Sequence, residues 1–232
     1  MSEAMISELI VESEWILKNY WTKTRFAYQT ESGGWSDVDV LSYHPETKHL
    51  VISESKVRGR KKAIHAYTEH TKRKYGTILE YKATYFSFIP NIPKICSNHV
   101  VFTKFSRMVK TITIQLVSNL VIAKSLKNDA ESSVLEEIEK YMKEELPGSK
   151  AKIEVMLDST IDVISRVVED ENKHNQGRRY GHPMLDIARE INRYFYPDVG
   201  GAGKRTDQTE SVKKQATQSF IQAINHREII RN

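Results

Sequence analysis

Four charged side chains, Asp37, Asp39, Glu54 and Lys56, fall within two strand-like runs joined by a short turn. The runs are 36–43 and 49–57, and His44-Pro45-Glu46-Thr47 between them has the proline and short polar residues of a hairpin connection. Strand side chains alternate between faces. Asp37 and Asp39 are therefore expected on one face of the first run, with Val38 and Val40 opposite. Glu54 and Lys56 share one face of the second, with Ser53, Ser55 and Val57 opposite. A pairing that superposes these faces gathers carboxylates and an ammonium into one small volume. Clustered carboxylates are costly unless something positive neutralises them. Mg²⁺ does this well: it takes oxygen ligands, keeps several waters, and is commonly held by one or two carboxylates plus a substrate phosphate. Lys56 would then act as a point charge on that phosphate or on the attacking water. The competing reading is an exposed hairpin face carrying a cross-strand ion pair. The apolar lead-in Leu50-Val51-Ile52 argues for a partly buried strand instead.

An acid late in one strand, followed by an apolar strand ending in Glu-x-Lys, resembles the PD-(D/E)xK nuclease superfamily. Here the residues are Asp39, then Glu54-Ser55-Lys56, with 15 positions from the Asp to the Glu. Ser36-Asp37 stands where that family often has Pro-Asp. The resemblance covers roughly the first half of the chain. It implies a restriction-endonuclease-like αβββαβ core and hydrolysis of a phosphodiester in nucleic acid, DNA before RNA. It further implies Asp39, Glu54 and Lys56 as catalytic residues, with Asp39 and Glu54 holding Mg²⁺ (Mn²⁺ as substitute). Asp37 either joins them or flanks the site. The family's first helix often adds another acid, and Glu8 or Glu12 would fill that role, with Glu14 a third candidate.

The elements that must position these residues follow from periodicity. Ile6, Leu9, Ile10, Ile16, Leu17 and Tyr20 recur at helical spacing, so a helix is expected over 3–20, with Ser2 as its cap. Strands are expected at 25–30, 36–43 and 49–57, with Gly33-Gly34 as the turn between the first two. From Lys56 to Lys62, five of seven residues are basic, and Arg58, Arg60, Lys61 and Lys62 adjoin the acids. Such a cluster suits a phosphate backbone, contacts to which give affinity without reading sequence. A crossover helix is expected from about 61 to 79, then strands at 98–105 and within 111–123, where 115–122 also reads as helical.

A composition shift at 127–131 suggests an α/β core over 1–126 and a helical C-terminal region over 127–232. Helices are expected at 134–146, 152–168, 183–196 and 208–229, and 170–181 reads as a polar loop. The glycine-rich 200–206 stretch fails the phosphate-loop pattern: Asp198 stands where the first Gly belongs, and Arg205 follows Lys204.

Bulk properties agree with this reading without compelling it. The net charge of +5 favours an anionic partner. Cys96 is the sole cysteine, which excludes an internal disulfide and a cysteine-based zinc site. No apolar run reaches membrane-spanning length and no secretory leader pattern opens the chain, so no membrane partner and a cytoplasmic location are expected. A homodimer would present two sites to two strands. The alternative function is a non-catalytic nucleic-acid-binding module of the same fold, and a protein-binding role for the helical half is compatible with either.

Overall fold

The structure, a computed structural model, describes residues 6–30, 32–56, 89–97, 109–118, 127–146, 148–174 and 180–195. In chain order the elements are α1 (Ile6–Leu17), β1 (Trp21–Gln29), β2 (Trp35–His44), β3 (His49–Lys56), a 3₁₀ turn (Ile89–Asn91) leading into α2 (Ile92–Ser97), β4 (Thr111–Ser118), α3 (Lys127–Glu145), β5 (Lys152–Ser159), α4 (Thr160–His174) and α5 (Pro183–Phe195). The protein is α/β, with a five-stranded mixed sheet in the order β1-β2-β3-β4-β5. β1, β2 and β3 pair antiparallel, whereas β3, β4 and β5 run parallel. The expected elements at 57–88, 98–105 and 208–229, the basic cluster Arg58, Arg60, Lys61 and Lys62, and the 200–206 stretch lie outside the described residues.

α1 stops where its sequence supplies a left-handed cap. Asn19 takes φ +64, Asn19 N–H donates to Ile16 O at 3.0 Å, and Tyr20 N–H donates to Trp15 O at 2.9 Å. Asn tolerates this conformation better than most residues, and the two bonds satisfy carbonyls the helix end would otherwise orphan. The Trp15 and Tyr20 rings meet edge-on, 4.8 Å between centroids, which seals the cap with an apolar contact.

Two layers cover the sheet. On one face, Leu41, Leu50, Ile52, Ile112, Ile114, Leu116 and Leu157 join Ile92, Ile95 and Cys96 of α2 and Val134, Ile138 and Met142 of α3 in one buried cluster. The spacing of four along α3 is the apolar stripe of an amphipathic helix, and α3 packs on β5 and α2. α1 packs on β1, β2 and β3, and its Trp15 reaches Gln115 from the other face.

Three expectations need correction. Residues 152–168 are a strand followed by a helix, not one helix. Ile153, Val155 and Leu157 alternate, and β5 pairs in register with β4, so tertiary pairing decides the segment. The C-terminal region from 127 thus supplies a sheet strand as well as helices. Residues 170–174 continue α4 rather than opening a loop. Strict alternation also fails in β2, because Val38 and Leu41 belong to the same buried cluster although three residues separate them.

The chain divides into two compact units, 1–160 and 161–232. The second is organised by the buried Glu171. It accepts a bond from Asn192 Nδ2 at 2.6 Å and faces Arg189 Nε at 3.4 Å, while Asn192 Nδ2 also reaches Val168 O at 3.0 Å. The Arg189 guanidinium stands over the Tyr180 ring at 5.4 Å.

Candidate active site

β3, β4 and β5 end together, Lys56 opposite Ser118 and Ser118 opposite Ser159 in register. β2 runs the other way, so its first half lies at this same carboxyl edge. Open α/β sheets bind ligands outside the carboxyl ends of their strands. Asp37, Asp39, Glu54 and Lys56 all belong to that edge.

The last paired rung of β2 and β3 is Val40↔Ser53. Asp39 and Glu54 each stand one residue beyond it, and both are buried. Past Val40 the Asp39 side chain replaces the backbone as acceptor: Ser55 N–H donates to Asp39 Oδ2 at 2.6 Å. Glu54 is level with Leu116 of β4, and Lys56 closes β3 level with Ser118.

Asp37 is held from β1 by Arg25, which also binds Glu8 of α1 and takes φ +51. Thr24↔Val40 and Phe26↔Val38 are paired on either side of it. A left-handed residue that is not glycine costs roughly 1–2 kcal/mol. The kink is offset by the bonds it permits. Arg25 Nη2 and Nε donate to the two oxygens of Glu8 at 2.6 and 3.1 Å, and Nη1 donates to Asp37 Oδ2 at 3.2 Å. The Glu8 carboxylate is fully buried, and its hydrogen bond and charge, with that of Asp37, hold the guanidinium pKa above its ordinary value. Of the α1 acids, Glu8 is thus linked through Arg25 to the site strand. Glu12 instead accepts a bond from Thr22 Oγ1 at 2.8 Å, and Thr22 pairs with Ser42, far up β2 from Asp37.

Glu14 belongs to a different network, centred on Gln115. Gln115 Oε1 accepts from Trp15 Nε1 and from Ser53 Oγ, each at 2.8 Å. Its Nε2 donates to Glu14 Oε2 at 3.1 Å and to Asp158 Oδ2 at 3.2 Å. Lys18 pairs with Glu14 at 2.7 Å, and Lys127 with Asp158 at 3.4 Å. One amide thereby holds two buried carboxylates in place behind the strand ends.

Sequence reasoning missed Arg25, Gln115 and Asp158. For Gln115 a signal existed: a lone amide in the apolar run Thr111–Ser118 requires buried partners. Arg25 carried none, since nothing local marks a left-handed residue there. No group of three or more His, Cys, Asp or Glu side chains among the described residues has the arrangement of a metal site. No described helix is long and apolar enough to cross a membrane.

Neither family models nor curated proteins match the chain. Among solved structures, the chain is similar to a crystal structure of a protein of unknown function, AF1548. The two are 12% identical over 91% of this chain and 99% of that one, with a TM-score of 0.29, a likeness too low to assign a fold family or a function.

Proposed function

We propose that the chain is a metal-dependent nuclease with a restriction-endonuclease-like core, hydrolysing phosphodiester bonds in nucleic acid, DNA before RNA. The observation that carries this reading is the pair Asp39 and Glu54, buried carboxylates each one residue past the last paired rung of two adjacent strands, at the carboxyl edge. Two buried acids at one end of neighbouring strands are costly unless something positive offsets them. The donor set fits Mg²⁺, with Mn²⁺ as substitute, since both groups offer hard oxygens. When bound there, the ion would act as Lewis acid and lower the pKa of a coordinated water.

The chain's own residues divide the remaining work. Asp39 and Glu54 would hold the ion, and the Ser55 amide fixes the Asp39 carboxylate in place. Lys56 offsets the negative charge that grows on the phosphate. The Glu8–Arg25–Asp37 chain is a side wall that braces β2 against α1. Arg58, Arg60, Lys61 and Lys62 follow directly in sequence and would contact the phosphate backbone.

A specific observation also favours the non-catalytic nucleic-acid-binding module. Asp39 is tied to a backbone amide and Asp37 to a guanidinium, bonds that would serve an acid with a structural duty alone. Calorimetric titration with Mn²⁺ separates the two readings. The nuclease reading expects saturable binding, lost in Asp39→Asn and in Glu54→Gln while circular dichroism is unchanged. No binding, or binding that both variants retain, overturns it in favour of the module.

A further inference from the structure

Trp35 opens β2 and is 76% exposed, although it stands only two residues from Asp37 and four from Asp39. The turn before it is well bonded. Thr30 N–H donates to Gly34 O at 2.8 Å, Gly33 N–H donates to Thr30 O at 3.0 Å, and Gln29 Nε2 donates to Gly33 O at 3.0 Å. Gly33, at φ +81, permits the reversal.

Register gives the indole neighbours. Trp35 pairs with Gln29 and Asp37 with Ala27, so the four share one face, and Ala27 and Gln29 are exposed as well. Ala27 has no side chain beyond Cβ, which leaves a shallow shelf between the indole and the Arg25–Asp37 pair. Strand rise places Trp35 about 7 Å from Asp37 and about 13 Å from Asp39. The other exposed tryptophan, Trp21, pairs with Tyr43, about 27 Å further along β2. The two do not form one apolar face of the kind that buries a protein partner.

We propose that this shelf binds an unpaired nucleobase, stacked on the Trp35 indole. The substrate class is then nucleic acid with a single-stranded segment: a single strand, a flap or a frayed end. A base inside a duplex keeps its faces stacked on its neighbours, whereas an unpaired base offers a free π face to an aromatic platform. The inference rests on the nuclease reading for its substrate, and its test is made without cleavage.

Anisotropy of a fluorescein-labelled single-stranded oligodeoxynucleotide is compared with that of its blunt duplex, both with EDTA present. The full chain is used as wild type, Trp35→Ala, Trp35→Phe and Trp21→Ala. Loss of one base–aromatic stack weakens binding about 5- to 150-fold. Trp35→Ala should weaken single-strand binding to that degree and duplex binding less than about 2-fold. Trp35→Phe should recover most of the loss, and Trp21→Ala should change neither. Equal loss on both substrates, no loss, or no binding of either by the wild type overturns the shelf. A changed mass of Trp35→Ala by light scattering would assign the residue to a protein interface and also overturn it. If Trp35→Ala shows the selective loss while the wild type never cuts DNA with Mg²⁺ or Mn²⁺, the shelf stands and the nuclease reading fails. If the wild type cuts and Trp35→Ala binds unchanged, the reverse holds.

Discussion

The backbone N–H of Ser55 donates to Asp39 Oδ2 across 2.6 Å, so an acid of β2 completes the hydrogen bonding of β3 where the backbone ladder between them has ended. This bond allows charge and structure to be tested apart. Asn keeps a carbonyl acceptor and loses the charge; Ala loses both. Asp39→Asn should keep the melting temperature of the wild type within a few degrees. Asp39→Ala leaves a buried N–H unsatisfied and should cost about 1–3 kcal/mol, read by chemical denaturation. Equal stability of the two variants would contradict the role given to this bond.

The Arg25 fork predicts a coupled pair. Arg25→Ala strands the buried Glu8 carboxylate, and removing one partner of such a pair costs several kcal/mol; about 2–4 is expected here because the guanidinium is partly exposed. Glu8→Gln added to Arg25→Ala should recover a good part of the loss, since a neutral amide tolerates burial better than an unpaired charge. Additive losses in the double variant would show that the two side chains do not depend on each other.

Gln115 has four partners and therefore the most to lose. Gln115→Leu keeps the volume but removes a bond from Trp15, Ser53, Glu14 and Asp158 together. A loss of about 2–4 kcal/mol follows, read as a melting temperature lower by about 5–15 °C. A change under about 2 °C would mean that water replaces the amide at little cost.

His49 predicts a pH dependence. Its Nδ1 meets the Tyr20 hydroxyl at 2.6 Å and its Nε2 the Thr113 hydroxyl at 2.7 Å. Burial, the dominant cause, lowers its pKa; Glu154 opposes this, while His44 and Lys18 add to it. The unfolded chain then takes up the proton first. Stability is full above the ordinary histidine value of about 6.5, falls as the pH drops below it, and levels off below the depressed folded value. Melting temperatures from pH 8 to 5 should show this loss in the wild type and a smaller one in His49→Asn. Parallel curves would contradict it.

Cys96 is buried against the apolar layer, and burial pushes its thiol up to about 12. The thiolate is the reactive form. A chromogenic disulfide reagent should therefore leave Cys96 unmodified in the native protein and titrate it completely in denaturant. Rapid native modification would place the thiol nearer the surface.

The parts of this fold that could be read from the chain are those whose signals are local. β2 and β3 show through their strand-like runs and the turn residues between them, and α1 and α5 through helical spacing and, for α5, a proline at its start. β5 did not show, because Ile153, Met156, Leu157, Ile161 and Ile164 fit one helical stripe as well as a strand followed by a helix. Only pairing with β4 decides between them. The site divides along the same line. That Asp39 and Glu54 fall at one end of two neighbouring strands could be read from spacing. The tie of Asp37 to Arg25 could not, because it depends on a left-handed residue whose cost is offset in part through Glu8 on another element.

The most direct test of the account is cleavage. Plasmid, linear and branched DNA are incubated with Mg²⁺ or Mn²⁺ and the wild type, Asp39→Asn or Lys56→Ala. The account predicts metal-dependent cutting by the wild type, abolished by chelation and reduced at least about 100-fold in both variants, with their folding unchanged. Absence of cutting on every substrate, or cutting that Asp39→Asn retains at full rate, would contradict it.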